Sequence, residues 1–341
     1  MRRWVLVPFV LIVLAAGACG GWTAAAPVLA AGGNLVPVTF QLDWIPFGRH
    51  APYYVALDRG WYRDAGLDVK IVQGTGIVQA FTALQVGRAQ FGFNDISYIP
   101  IAYEKSHVPL EALSVIYAHA PQAIFYLSGE GISRPKDLEG KTIAYSAGSS
   151  PYVLFALFAR ATGVNEQKIQ WQQTSPQSLN AVLLERKVNG MVTYILTQPA
   201  LQAQAPRGVR VDAFMFGDYG VPILNNGLIT NRDWARQHPS VVRGFVQATM
   251  KGVQFALDHP ADAIAIERKY QPNVTPGAGV AELNIIRKLI DTPAARSHCL
   301  GWIDPRQMQT TVDDVQKVFE LKGPLHADEM YTDEYLACAA K

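Results

Sequence analysis

One stretch of twelve residues, Asp43-Trp44-Ile45-Pro46-Phe47-Gly48-Arg49-His50-Ala51-Pro52-Tyr53-Tyr54, gathers aromatic rings, a carboxylate, an imidazole and a guanidinium just after an apolar run. Such a set suits the recognition of a small planar molecule. Trp44, Phe47 and Tyr53 offer faces on which a flat ring stacks, at about 0.5–1.5 kcal/mol per pair beyond burial of area. Asp43 and His50 are placed to bond ring nitrogens or amines. For Trp44 the competing role is the core, but Pro46 and Gly48 put it in a loop. His50 precedes a predicted helix, so a capping role stands beside ligand contact. A second cluster, Ser146-Ala147-Gly148-Ser149-Ser150-Pro151, lies between a predicted strand and helix. Free N–H groups and hydroxyls there suit a carboxylate, sulfonate or phosphate, with simple capping by Ser149 or Ser150 as the alternative. Asn94 and Asp95 follow another strand as a hydrogen-bonding pair or a turn. Gly76, in Gly74-Thr75-Gly76, lets backbone approach a ligand or simply turns the chain. Tyr194, Asp218 and Asn226 complete the candidate set.

Motifs for covalent or metal chemistry are missing. The sequence has no His-Glu-x-x-His helix, Gly-x-Ser-x-Gly elbow, P-loop or spaced Cys/His cluster, and its seven histidines are scattered. A binding protein with no catalytic residue, cofactor or metal is the expectation.

The elements that must hold these groups alternate in type. Strands are predicted at 36–42, 67–72, 90–93, 113–117, 141–145 and 191–195, with a further apolar run at 122–127. Helices are predicted at 52–57, 78–86, 151–163, 175–185, 239–257 and 260–270. This alternation predicts an α/β chain with parallel sheets, and 341 residues are enough for two domains. The polar stretch Ser133-Arg134-Pro135-Lys136-Asp137-Leu138-Glu139-Gly140 reads as the opening of the second. Lobe 1 is thus expected over 35–127 and 229–341, and lobe 2 over 128–228. Ligands of open α/β sheets sit at the carboxyl ends of strands, where the candidate loops lie.

Arg2, Arg3 and the uncharged run from Val5 to Ala16 predict an export signal over residues 1–30, too short to span a bilayer. Cleavage is expected either after Ala18, leaving Cys19 as a lipid anchor, or after Ala30. Without Arg2 and Arg3 the basic and acidic residues are equal in number, so nothing suggests a nucleic-acid partner. Cys299 and Cys338 are the cysteines left beyond this segment. In an oxidising compartment they are expected to pair.

The sequence resembles the periplasmic binding proteins of the thiamine-pyrimidine-precursor and sulfonate/nitrate/taurine group. The resemblance is carried by Leu42-Asp43-Trp44-Ile45-Pro46, His50, Tyr54-Val55-Ala56-Leu57, Gly60-Trp61-Tyr62 and Ala65-Gly66-Leu67-Asp68-Val69. It continues through Gln90-Phe91-Gly92-Phe93, Pro135 to Lys141, Asp218-Tyr219-Gly220-Val221-Pro222 and His259 to Ala263. It implies a type II fold of two lobes joined by two crossovers. It also implies closure around a solute, and an ABC permease with its ATPase as partners to a monomeric, extracytoplasmic protein. The Asp-x-Gly-Val-Pro element points to the pyrimidine branch. Asn226 stands where that branch usually has an acidic residue, and Ile99-Pro100-Ile101 where a Glu is often found. A pyrimidine, another heterocyclic or aromatic solute, and a sulfonate- or nitrate-like anion therefore all remain. The group also includes a pyrimidine synthase with a clustered-Cys iron motif, which this sequence lacks.

Overall fold

The computed structural model describes residues 34–338. The predicted signal segment, both expected cleavage positions and Cys19 lie outside the described residues. Among the described residues, ten strands form two five-stranded sheets. The first is ordered β2-β1-β3-β10-β4 and the second β7-β6-β8-β5-β9. In sheet 1 these are β1 (Val36–Gln41), β2 (Leu67–Val72), β3 (Phe91–Asp95), β4 (Leu110–Val115) and β10 (Asn226–Asn231). In sheet 2 they are β5 (Gln122–Leu127), β6 (Thr142–Tyr145), β7 (Gln170–Gln173), β8 (Gly190–Tyr194) and β9 (Val211–Met215).

Both sheets follow the same plan. Four strands run parallel, and one antiparallel strand from the far end of a crossover is inserted between the third and the fourth. In sheet 1 that strand is β10, antiparallel to β3 and β4. In sheet 2 it is β5, antiparallel to β8 and β9. The chain crosses between sheets twice, between β4 and β5 and again between β9 and β10. This makes a two-lobed α/β protein.

The expected lobe boundaries need correction. Residues 122–127, expected in the first lobe, pair wholly within sheet 2, and β10 joins sheet 1 from Asn226 rather than 229. The polar stretch Ser133–Gly140 is a surface excursion after β5. The crossing just before β5 runs through Ile116, Tyr117, Ala118, Ala120 and Pro121, and its apolar residues are buried, so it carries no polar signature.

Sheet 1 is held by the helix Pro239–Asp258. Its buried residues Val242, Phe245, Val246, Thr249 and Val253 recur at helical spacing. The Phe245 ring stacks on Phe91 at 3.8 Å between centroids, with Phe40 edge-on at 5.0 Å. Tyr53 sits in this core, 5.0 Å from both Phe40 and Phe93, and is essentially inaccessible. It is not a solute contact.

Cys299 and Cys338 are joined, with Cα atoms 5.1 Å apart. Closing a loop of roughly 40 residues stabilises by about 3–4 kcal/mol on the chain-entropy model. Peptide mass spectrometry of the unreduced protein should recover the linked pair, and reduction should cost stability of that order. Two free thiols would contradict this.

Candidate functional site

The loops following the strands of both sheets converge on a cavity of about 630 Å³ between the lobes. Residues 43–49 after β1, Gln73 after β2 and Asn94 at the end of β3 form one wall. Ser146, Ser149, Ser150 and Pro151 after β6, and Thr193 and Tyr194 at the end of β8, form the opposite wall. The loop through Asn273 and the helix Pro276–Ile290 close a third side.

Two backbone approaches set this geometry. Gly76, at φ +145°, brings Ile77 N–H to the Gly148 carbonyl at 2.8 Å, linking the two lobes. A Cβ on Gly76 would meet that carbonyl oxygen at 2.5 Å, so a side chain there is excluded. Gly76 is thus a contact between lobes rather than part of the lining. Gly48 packs against Gly279, where a Cβ would lie 2.3 Å from the Gly279 Cα. That contact seats the helix Pro276–Ile290 directly against the first loop.

A buried polar network underlies the first wall. The Asp43 carboxylate accepts from Arg49 Nη2 at 3.2 Å, His50 Nε2 at 2.8 Å and Asn226 Nδ2 at 3.2 Å. Tyr194 donates its hydroxyl to Asn226 Oδ1 at 3.0 Å. Burial pushes the Asp43 pKa up, but the Arg49 charge and the His50 bond outweigh it and hold the carboxyl below its usual range. For His50, burial and then the Arg49 charge push the pKa down to about 4, against the pull of Asp43. Phe47 N–H donates to His50 Nδ1 at 3.0 Å, so the proton belongs on Nε2, where it reaches Asp43. The imidazole is neutral, fully buried, and holds Asp43 in place. It neither caps the following helix nor lines the cavity.

A second network spans the lobes. Asp95 accepts from Ser97 N and Oγ at 3.0 and 2.6 Å, Asn225 Nδ2 at 2.6 Å, Gln122 Nε2 at 3.1 Å and the Ser150 hydroxyl. Burial pushes this carboxyl up to about 6, against the Ser150, Ser97 and Asn225 bonds. Asp95 lies behind the lining. Ser150, committed to a carboxylate, is not a free donor for an anion, and the helix it opens is only Ser150–Val153. Ser146 donates to the Thr174 carbonyl at 3.1 Å, and Ser149 Oγ is buried with no partner among the described residues. Two of the three hydroxyls expected to cradle an anion are therefore spent within the protein.

Of the expected site residues, the structure brings Asp43, Trp44, Phe47, Asn94, Ser146, Ser149, Ser150 and Tyr194 to the cavity. Asn226 and His50 support Asp43 from behind. Asp218 is exposed on the turn after β9, away from the lining, while Val221 and Ile223 of the segment that follows are buried in the core. Arg49 and Glu282 line the cavity and were missed. With Asp43 they are the charged residues of the lining. Glu282 had a legible signal, since it falls on the buried helical stripe with Gly279, Leu283 and Ile286. A carboxylate at core spacing calls for a reason.

Among the described residues no three His, Cys, Asp or Glu side chains are arranged to hold a metal, and no helix is long and apolar enough to cross a membrane. The family model described as "NMT1/THI5 like" matches residues 48–263, more than half of the chain. The chain belongs to this family. It is 25% identical to riboflavin-binding protein RibY of Chloroflexus aurantiacus, with 98% of each chain covered. It is 26% identical to a 4-amino-5-hydroxymethyl-2-methylpyrimidine phosphate synthase of Saccharomyces cerevisiae, over 66% of this chain and 68% of that one. In fold it is similar to the alkanesulfonate-binding protein SsuA of Xanthomonas axonopodis pv. citri, with a TM-score of 0.66 at 17% identity, covering 89% of this chain and all of that one.

Proposed function

We propose that this NMT1/THI5-like protein is the extracytoplasmic solute-binding component of an ABC importer, and that it closes on a small heterocyclic or aromatic solute. The observation that carries the reading is the cavity between the lobes. Trp44, Phe47 and Tyr194 line it beside polar groups, and its Arg49 guanidinium is already paired to Asp43. Among the described residues, a sulfonate or nitrate would meet in that lining one cation, whose charge is already paired to Asp43, and would face Glu282. A neutral planar ring fits its balance better. Its full-length similarity to a riboflavin-binding protein supports the same class. The reading is of binding without catalysis. The cysteines among the described residues are spent on a disulfide, and the lining offers no nucleophile held by a base. Delivery to a permease and its ATPase by a monomer, with export directed by residues 1–30, completes it.

Thermal unfolding with riboflavin, 4-amino-5-hydroxymethyl-2-methylpyrimidine, its formylamino relative, taurine and nitrate tests the class. A cognate solute at a hundredfold excess over Kd should add about 2.7 kcal/mol of stability. Trp44→Ala should weaken that solute by about 1 kcal/mol or more, the scale of a stacking pair with its buried area. Shifts from taurine or nitrate alone would sink the heterocycle reading, and unchanged affinity in the folded variant would remove Trp44 from the site.

A further inference from the structure

We infer that Glu282 is a specificity-determining contact whose carboxylate accepts an N–H hydrogen bond from the solute, and that solute binding therefore releases a proton from this residue. The inference rests on the solute-binding reading above and goes beyond it to a mechanism of selection.

The geometry leaves Glu282 half-used. Its Oε2 accepts the buried Arg49 backbone N–H at 3.0 Å. No donor among the described residues reaches Oε1, although the residue lines the cavity. The Arg49 guanidinium, the nearest cation, gives Nη2 to Asp43 instead, and its Nε has no partner among the described residues. Behind Glu282 stands Glu267 on the helix Pro260–Tyr270, fully buried, with neither carboxyl oxygen partnered among the described residues. The groups felt by this pair are Arg49 from the first loop, with Asp43 and the neutral His50 beyond it, Tyr117 from the first crossover, and Tyr54, whose phenol feels Glu267.

These surroundings separate the two acids. Burial and then the charge of Glu282 push Glu267 up to about 9, so near neutrality it keeps its proton. Burial raises Glu282 only to about 7, because the Arg49 charge and backbone N–H oppose it. The cavity-facing group is the one poised to change state. An N–H donor on the solute stabilises the ionised form and lowers the Glu282 pKa. The displaced proton passes to solvent, leaving a carboxylate bonded to the intact N–H of the solute. The solute class selected is a planar ring with an imide or amino N–H at its edge. An anion with no donor is repelled.

Calorimetry on the exported chain, in buffers of different ionisation enthalpy, reads this directly. Riboflavin is the probe, because its imide N–H keeps its proton across the pH range used. The wild type should release a substantial fraction of a proton per riboflavin near pH 6 and almost none near pH 8. Its affinity should rise as pH approaches about 7 and then level off, with a limiting slope of about tenfold per pH unit. Glu282→Gln, checked for an intact unliganded melting transition, should bind at least about tenfold more weakly near pH 7.5 with no proton release. Glu282→Asp should keep the release. Binding of riboflavin with no proton release, or with uptake, overturns the inference while leaving the solute-binding reading intact. If every solute tried at both pH values leaves melting and heat unchanged, the solute-binding reading falls and this inference with it.

Discussion

Asp43→Ala is expected to cost about 3–5 kcal/mol of stability, the range for removing one partner of a buried ion pair. The loss of the carboxylate itself is the smaller part. What remains is an Arg49 guanidinium held in the interior, beside a neutral imidazole and an Asn226 amide that have each lost their acceptor. Glu282 is no substitute, since it bonds the Arg49 backbone rather than its guanidinium. Asp43→Asn should cost less, because the amide keeps one acceptor, yet its NH2 group would face donors. Urea unfolding near pH 7 measures both. The sign of the pH dependence follows from the depressed Asp43 pKa. The stability it supplies is present above the unfolded value of about 4 and fades as pH falls through the lower folded value. The gap between wild type and Asp43→Ala should therefore narrow in acid. A loss under about 1 kcal/mol near pH 7 would show that Arg49 finds another partner, and the network as described would be wrong.

This network also shows what the sequence could disclose. The first loop was legible because its residue types are costly outside a site and because it follows a strand of clear apolar pattern. Its inner logic was not. That His50 serves Asp43 and not a solute depends on Phe47 N–H reaching Nδ1, a contact that spacing cannot reveal. Strands β7 and β9 were missed because their residues are only partly buried and show little alternation, as in Gln170-Trp171-Gln172-Gln173. The antiparallel placement of β5 and β10 was also hidden. A strand buried on both faces reads as an apolar run whatever its direction, and its partners are chosen by sheet closure over distances of about 70 to 130 residues. The serine cluster failed for a related reason. Three hydroxyls beside a helix start suggest an anion site, yet Ser150 is spent on Asp95, 55 residues away. Glu267 and Glu282 were readable in principle as charges on core stripes. The rule that places ligands at strand ends does not reach them, and a third wall built by helices has no such marker.

Glu267 carries the second large effect, and it appears as a tilt in stability with pH. Its folded pKa of about 9 lies far above the value of about 4.3 expected in the unfolded chain. Between those values the native state retains a proton that the unfolded state has released. Stability is therefore greatest below the unfolded value and is lost as pH rises toward the folded one, by as much as about 1.4 kcal/mol per unit. Glu282 at about 7 and Asp95 at about 6 add the same sign over shorter windows. His50, lowered to about 4, acts oppositely, withdrawing stability as pH falls below about 6.5 because the unfolded imidazole takes a proton that the buried one refuses. Glu267→Gln removes only the Glu267 contribution and matches its volume and its neutral state. Measured by urea unfolding, the variant should gain on the wild type by about 1 kcal/mol for each pH unit between pH 6 and 8. Below about pH 4, where Glu267 is neutral in both the native and the unfolded chain, the two should nearly coincide. Curves that stay parallel from pH 5 to 8 would mean that Glu267 is ionised in the folded protein and paired with Arg49. The charge left uncompensated in the cavity would then not be that of Glu282.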